Sequence, residues 1–544
     1  MGSALSRLRL ALQSLRALAA AYEELNKRIN QSPGLPVSDP STSYWAIPAS
    51  PIAQHGCDAN LPDSADVVII GSGITGTAVA RTLLENDNTL QIVMLEARDA
   101  CSGATSRNGG HITPVLYHEY QELKKQLGPE MATSLVKFRL AHIAELIRTS
   151  KEEDILTDSQ CREIETFDVF FDQGSFDSAV GNLTLYLEDI PDQQGAWRVV
   201  GKEECISDLQ FSPTVVGAIA TTAGAIHPYR FTVGILSRLI ARHPSNFHLF
   251  THTPCLSISS NKNEPLYTIS TPKGTMSARH IVHATNAWAS HLLPPMRAKI
   301  IPARGHMSAQ RPGMGLGSSQ TAVDRTGPNE SAVTLTESRH SWLGTRSFVM
   351  YGGGRSYDYL TQQPSAASAP QESQYPSPSA EFMFGGGAAR GELGQSAFIK
   401  LLGNADDRGW DFDTAAYLSG ALSTYFGQWG AEGRDEKDAC DVEAGRVKKL
   451  WTGILGISVD GLPWVGRLPA KLSGRSVPQN RDKHRLGPSG EWIAAGYTGE
   501  GMVHAYLSGK AVARILLGRS TDELPEALLV TVARWKKANI EDMA

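Results

Sequence analysis

Val67–Ile70 is a short apolar, β-branched run, glycines follow at 71, 73 and 76, and apolar positions then recur at helical spacing to Asn86. That order predicts a buried strand, a tight turn and a helix. "QIVMLEA", ending at Ala97, predicts a second buried strand. Residues 118–153 carry the period of one or two long helices, with a candidate break at Gly128-Pro129. From about 161 to 200 the pattern reads as strands, through "FDVFFD" and "LTLYLED". "PYRFTVGILSRLIARH" is an amphipathic helix with Pro228 near its start. Alternating strands follow at 247–258 and 265–271, and "ARHIVHATNAWAS" reads as a buried strand entering a small-residue turn. "EWIAAGYTGEGMVHAYLSGKAVARILLG" then repeats the order of strand, glycine turn and helix.

The ends of the chain read differently. Leu5, Leu8, Leu12, Leu15 and Leu18 line one side of an amphipathic helix over residues 1–30, which carries three arginines and no acid before Glu23. A mitochondrial presequence has that composition, and Gly2 with Ser6 fits the myristoylation pattern; the plainer reading is a helix packed on its own protein or on a partner. A Pro/Ser-rich linker follows. Residues 312–340 and 364–380 are Ser/Pro/Gly-rich and read as mobile insertions. The similar segments "SFVMYGGG" and "EFMFGGGAA" read as paired strands of one sheet, and "KLSGRSVPQNRDKHRLGPSG" as a basic surface loop.

Composition narrows the class. The 544 residues exceed one ordinary core, so at least two domains are expected. A net charge of −5 gives no support for nucleic-acid binding. No apolar run reaches the roughly 18 residues needed to span a bilayer. The six cysteines lack the close spacing of a metal or redox site, so they read as free thiols and no metal is expected. A reducing, cytoplasmic location follows, with the N-terminal helix leaving a mitochondrial one open.

Gly71, Gly73 and Gly76 form G-x-G-x-x-G between strand and helix, where glycines permit the tight turn and the close approach of backbone to a pyrophosphate. The helix N-terminus adds N–H groups and the positive end of its dipole. Glu96 ends the second strand 20 residues past Gly76, placed to accept from ribose hydroxyls. These features predict a dinucleotide site. The next stretch, "CSGATSRNGGHITP" (101–114), is almost devoid of bulk. A chain that must run along a flat isoalloxazine ring needs small side chains, and His111 is the first large polar residue beyond them.

"GSGITG…LEARDACSGATSRNGGHITP" resembles the FAD-dependent D-amino-acid oxidase superfamily, in the branch of glycine oxidase, sarcosine oxidase and γ-glutamylputrescine oxidase. The resemblance recurs in order at "GAIHPYRF", "ARHIVHATNAWAS", "LWTGILGISVDGLPWVGRLP" and "AAGYTGEGMVHAYLSGKAVARILLG", covering roughly residues 64–300 and 380–520. It implies an α/β fold: a Rossmann-type FAD domain built from discontinuous segments (61–118, 215–300 and 450–520), plus an α+β, mixed-sheet substrate domain (119–214 and 301–449). Residues 1–60 and a C-terminal helix in 521–544 lie outside both. The resemblance places Gly71, Gly73, Ile74, Thr75 and Gly76 at the pyrophosphate and Glu96 at the ribose. Ala97, Arg98, Ala104, Thr105, Arg107, Asn108, Gly109 and Gly110 would line the cofactor. Cys255 falls near the adenine, Thr285 and Asn286 in a third binding segment, and Gly499, Glu500, Gly501 and Met502 in the loop over the pyrimidine end. Glu500 stands where relatives often have another residue, and its carboxylate is expected to point away from the flavin. Non-covalent FAD is expected, since the late segments hold no cysteine after Cys440, which lacks the covalent motif.

The activity implied is oxidation of a C–N bond of an amine or amino acid by hydride transfer to flavin N5, with oxygen or another electron acceptor. The alternative is another FAD-dependent oxidoreductase, of the hydroxy-acid dehydrogenase or hydroxylase class. His111 is the first candidate base, with a pKa range suited to neutrality, and His306 in "PARGHM" the second. Tyr351 and Tyr497 could line the pocket, although each aromatic is more often core, and His227 reads as structural. Arg304, Arg346 and Arg355 are available to fork a carboxylate.

Overall fold

The computed structural model describes residues 2–260, 265–312, 343–352, 357–364, 375–387, 399–427, 445–478 and 485–540. Arg355, Cys440 and most of the Ser/Pro/Gly-rich insertions lie outside them. The glycine-turn units from opposite ends of the sequence meet in one sheet. Strand β1 (Ser64–Ile70) is flanked in parallel by β2 (Ile92–Leu95) and β10 (Gly274–His283). Parallel β7 (Phe247–Phe250) borders β2, and parallel β17 (Gly490–Ala495) borders β10. Antiparallel β16 (Trp464–Arg467), and β8 (Ser257–Ser259) with β9 (Tyr267–Thr271), complete eight strands. The end of β1 and all of β2 are buried, which is why the sequence shows unbroken apolar runs there. Helix α2 (Ile74–Asn86) crosses the helix Ala505–Leu516 at Gly509, where a Cβ would meet the Thr75 carbonyl oxygen at 2.6 Å.

The second sheet has nine strands in mixed pairing. Its order is β15 (Val447–Ser458), β11 (Ile300–Gln310), β14 (Phe382–Gly385), β13 (Tyr357–Gln362), β12 (Arg346–Tyr351), β4 (Arg162–Phe170), β6 (Gly217–Ala225) and β3 (His111–Ile112). Strand β5 (Arg198–Val200) pairs with β6. Period-two alternation splits its side chains between two faces. Phe167, Phe348, Leu360 and Phe384 pack with Leu418 and Leu422 of the helix Phe412–Tyr425. The other face presents Thr166, Asp168, Ser347, Tyr359 and Met307. This is the expected fold class, although β6 and β15 belong to this sheet while the chain around them continues into the first.

Several local readings change. "LTLYLED" lies in a helix, Gln173–Asp189, not a strand: Asp172 caps it by accepting from Ser175 N, and the buried positions Ala179, Leu183 and Tyr186 follow helical spacing. The long helical stretch does break at Gly128, into α3 (Tyr117–Leu127) and α4 (Pro129–Glu152). "SFVMY" and "FMFG" share a sheet, but each pairs with β13, which runs between them. The linker is packed in part, because Trp45 is buried and its Nε1 donates to Asn108 O at 2.6 Å. Helix α1 (Gly2–Asn30) docks through Leu25 and Ile29 and leaves Leu12, Leu15 and Leu18 exposed. Among the described residues no helix is long and apolar enough to cross a membrane.

Candidate functional site

The cavity opens at the carboxyl ends of β1, β2 and β10, where open α/β sheets bind their ligands. Its lining runs from the glycine turn and the end of β2 to the loop at 499–502. Gly71 has φ +107°, and a Cβ there would meet the Ala284 carbonyl oxygen at 2.6 Å. A Cβ at Gly76 would meet the Gly71 carbonyl oxygen at 2.0 Å, so this glycine packs helix on strand and does not line the cavity. Helix α2 begins at the cavity with Gly73 as N-cap, no side-chain cap and no acid in its first turn. The Ile74 amide donates to Thr105 Oγ1 at 3.1 Å, and an anion beside it meets the positive end of the dipole.

Gly71, Gly73, Ile74, Thr75, Glu96, Ala97, Arg98, Ala104, Thr105 and Asn108 all line this space. Cys255, Thr285, Asn286, Gly499, Gly501 and Met502 line it as well. Glu96 Oε2 accepts from Ser72 N and Oγ, and Oε1 from Arg98 N, which fixes the carboxylate at the wall. Thr285 Oγ1 and Trp288 Nε1 are buried at the same wall without a protein partner. Orphaned buried polar atoms around a glycine-rich turn fit the polar groups of FAD. Cys101 points elsewhere: its side chain is enclosed with Trp45, Tyr229 and Val233, and burial pushes the thiol up. The sequence reading missed Gly34, Leu35 and Pro36, which also line the cavity. A Pro/Gly-rich segment gives no periodic signal from which such a role could be read.

The small-residue loop is held from outside the cofactor space. Arg98 donates to Asp407 at 3.0 Å, and Arg107 lies 3.5 Å from the same carboxylate while donating to the carbonyls of Ser102 and Thr452. Arg107 therefore clamps the loop to β15 and contributes no lining, and burial pushes its pKa down to about 10. Asp407 was invisible in the sequence because its partners stand some 300 residues away. Its removal would strand two buried guanidinium groups. Asp407→Ala is expected to cost about 3–5 kcal/mol, the usual penalty for breaking a buried pair, and thermal unfolding of the loaded protein measures it. An unchanged midpoint would mean that solvent reaches both arginines.

Gly109 and Gly110 carry the loop past this clamp. A Cβ at Gly109 would meet the Tyr359 ring at 2.3 Å, and one at Gly110 the Ile226 carbonyl oxygen at 2.2 Å. The loop thus delivers His111 to the second sheet, where Nε2 lies 2.8 Å from Ser347 Oγ and 3.4 Å from Thr166 Oγ1. Burial pushes its pKa down to about 4, with Asp168 opposing, so His111 does not titrate near neutrality as the sequence reading supposed. His306 is on the opposite face. Its Nε2 accepts from Asp411 N at 2.9 Å, at the start of the Phe412–Tyr425 helix, and the strand alternation that puts Met307 beside Tyr359 turns His306 away. Arg304 shares the His306 side of β11, and Arg346 donates to the Asp208 carbonyl.

Tyr497 lines the cavity, with Oη 2.8 Å from Thr75 Oγ1. His227 caps its helix by accepting from Arg230 N, a structural placement. Glu500 turns from the cavity to Arg139, 3.2 Å away, and burial pushes its carboxyl up to about 7, against the pull of Arg139.

The fold matches glycine oxidase from Geobacillus kaustophilus with a TM-score of 0.57 at 16% identity, over 87% of this chain and 99% of that one. A "Probable oxidoreductase OrdL" of Rhizobium meliloti (strain 1021) is 27% identical over 281 residues, 49% of this chain and 61% of the relative. A glycerol 3-phosphate dehydrogenase of Caloramator mitchellensis is 23% identical over 251 residues, 44% of this chain and 46% of the relative. The chain thus spans about half to three fifths of the length of these relatives. Residues 66–515 match the model of the FAD dependent oxidoreductase (DAO) family, and with its glycine turn, ribose acid and small-residue loop the chain belongs to that family.

Proposed function

We propose that this FAD-dependent oxidoreductase oxidises a C–N bond of an amine or amino acid and passes the electrons to oxygen. FAD, when bound, supplies the two-electron acceptor. Gly71, Gly73 and the start of α2 hold its pyrophosphate, Glu96 its ribose, and the loop at 499–502 its pyrimidine end. The observation that carries the reading is His111, which the small-residue loop delivers to the face of the second sheet that carries Ser347 and Thr166, where both hold it. A C–N substrate reacts as the free amine. An imidazole that stays neutral down to about pH 4 can accept a hydrogen bond from that amine without presenting a competing charge. The likeness to glycine oxidase supports the same chemistry.

The test mixes flavin-loaded protein, without oxygen, with amines, amino acids, hydroxy acids and glycerol 3-phosphate. Nitrogen compounds should bleach the oxidised flavin, and admitting air should then release peroxide. Bleaching confined to hydroxy acids or glycerol 3-phosphate would replace this reading with C–O oxidation. Bleaching without peroxide would leave the substrate class intact and remove oxygen as the acceptor.

A further inference from the structure

The charges around His111 are unbalanced in one direction. Asp168 lies on the same face of β4 as Thr166 and Phe170. Its Oδ2 accepts from Tyr117 Oη at 2.7 Å and lies 3.3 Å from His118 Nε2, while Oδ1 has no protein partner among the described residues. Rings surround it. Tyr351 stacks on Phe170 at 5.0 Å and lies 4.8 Å from His118 and 6.0 Å from Tyr357, which is 45% exposed. A carboxylate and aromatic faces both attract a cation. A carboxylate also repels a second carboxylate.

Among the described residues the neighbouring cations are committed elsewhere. Arg139 is 2% exposed and shared between Glu119 and Glu500, each at 3.2 Å. Arg162 donates to the carbonyls of Gln160, Gly344 and Gln362. Arg304 and Arg346 are turned elsewhere. An amino acid or a phosphate would ask for a guanidinium fork, and none of these arginines offers one to the face that carries His111.

Resting on the C–N reading above, we propose that the substrate is a diamine or related dication without a carboxylate near its reacting carbon, its non-reacting positive group held at Asp168 against the rings of His118, Tyr351 and Tyr357. One nitrogen then reacts as the free amine near His111, and the other stays protonated or alkylated. Asp168 sets specificity by charge, and the tyrosines by ring face.

The experiment uses the full chain loaded with FAD, without oxygen, and compares butylamine, 1,4-diaminobutane and ornithine, three compounds that share a chain and differ in charge. The diamine should bleach the flavin at a half-saturating concentration at least tenfold below that of butylamine, and ornithine should be far poorer. Asp168→Asn should raise the value for the diamine at least tenfold and leave that for butylamine within about twofold, a selective loss that a merely structural role would not produce. Tyr351→Leu should act in the same direction and serves if Asp168→Asn does not fold.

Ornithine, glycine or sarcosine outperforming the diamine would overturn the dication and leave C–N oxidation standing. Bleaching by glycerol 3-phosphate or hydroxy acids alone would instead remove the C–N reading itself. If no compound bleaches the flavin, tetramethylammonium decides: it should perturb the flavin spectrum, and an effect that is absent, or unchanged in Asp168→Asn, overturns the proposal.

Discussion

Glu96→Arg yields a folded protein without its yellow colour. Glu96 is the carboxylate at the end of β2, on the cavity wall, and its two oxygens already order Ser72 and the Arg98 amide. Reversing the charge removes the acceptor for the ribose hydroxyls and drives a long cation into their space. Two hydrogen bonds to a charged group contribute about 3–6 kcal/mol. At about 1.4 kcal/mol per decade, their loss weakens FAD by about 10²–10⁴-fold. Glu96 is half-buried and its carboxylate stands at the cavity wall, so circular dichroism should remain close to wild type. Absorbance at the flavin band, per chain, is the measurement. In the wild type, acid precipitation should leave the flavin in the supernatant, because the only cysteine in the loop, Cys101, is enclosed among Trp45, Tyr229 and Val233. Wild-type flavin content in the variant would show that the ribose is held by other groups.

The parts of this molecule that could be read from sequence were those where local chemistry and tertiary role coincide. A glycine with φ +107° against a neighbouring carbonyl, followed by a helix with a glycine N-cap and no acid in its first turn, leaves the same trace in sequence as in space. The carboxylate at the end of β2 is set by chain geometry alone, so its distance from the turn could be counted. His111 was legible as the first bulky polar residue after a run of small ones. Its protonation was not, because the burial that depresses it comes from strands far along the chain. His306 failed for a related reason: strand alternation is clear in the structure, but a one-residue phase cannot be fixed from sequence when both faces of the sheet are covered. Asp168 and Asp407 carry no motif. Each acquires its meaning from partners that only the second sheet or the clamp brings near. In "LTLYLED", alternation was outvoted by the Asp172 cap and by a helical set of buried positions.

His111→Ala is expected to keep FAD and slow anaerobic flavin reduction by about 10²-fold or more, the scale of a positioned acid–base group. The pyrophosphate and ribose contacts lie on the first sheet, whereas His111 is tied to Ser347 and Thr166 on the second, so binding and reduction should separate. The pH dependence separates two groups. The pKa of His111 is pushed below its ordinary value to about 4, so it loses neutrality only as the pH falls through about 4, and that acid limb should vanish in the variant. The sign for stability is the same: between about 6.5 and 4 the unfolded chain takes up a proton that the folded one excludes, so this site weakens the fold as the pH falls. Glu500 runs the other way. Its carboxyl is pushed up to about 7, so it ionises as the pH rises through neutrality and adds negative charge beside Tyr351 and Tyr357. Apparent affinity for a cationic substrate should therefore rise across about pH 7 in both wild type and His111→Ala, and stay flat in Glu500→Gln. Reduction within about threefold of wild type in His111→Ala would make the imidazole a packing residue. A neutral limb lost with His111 but kept in Glu500→Gln would reverse the two assignments.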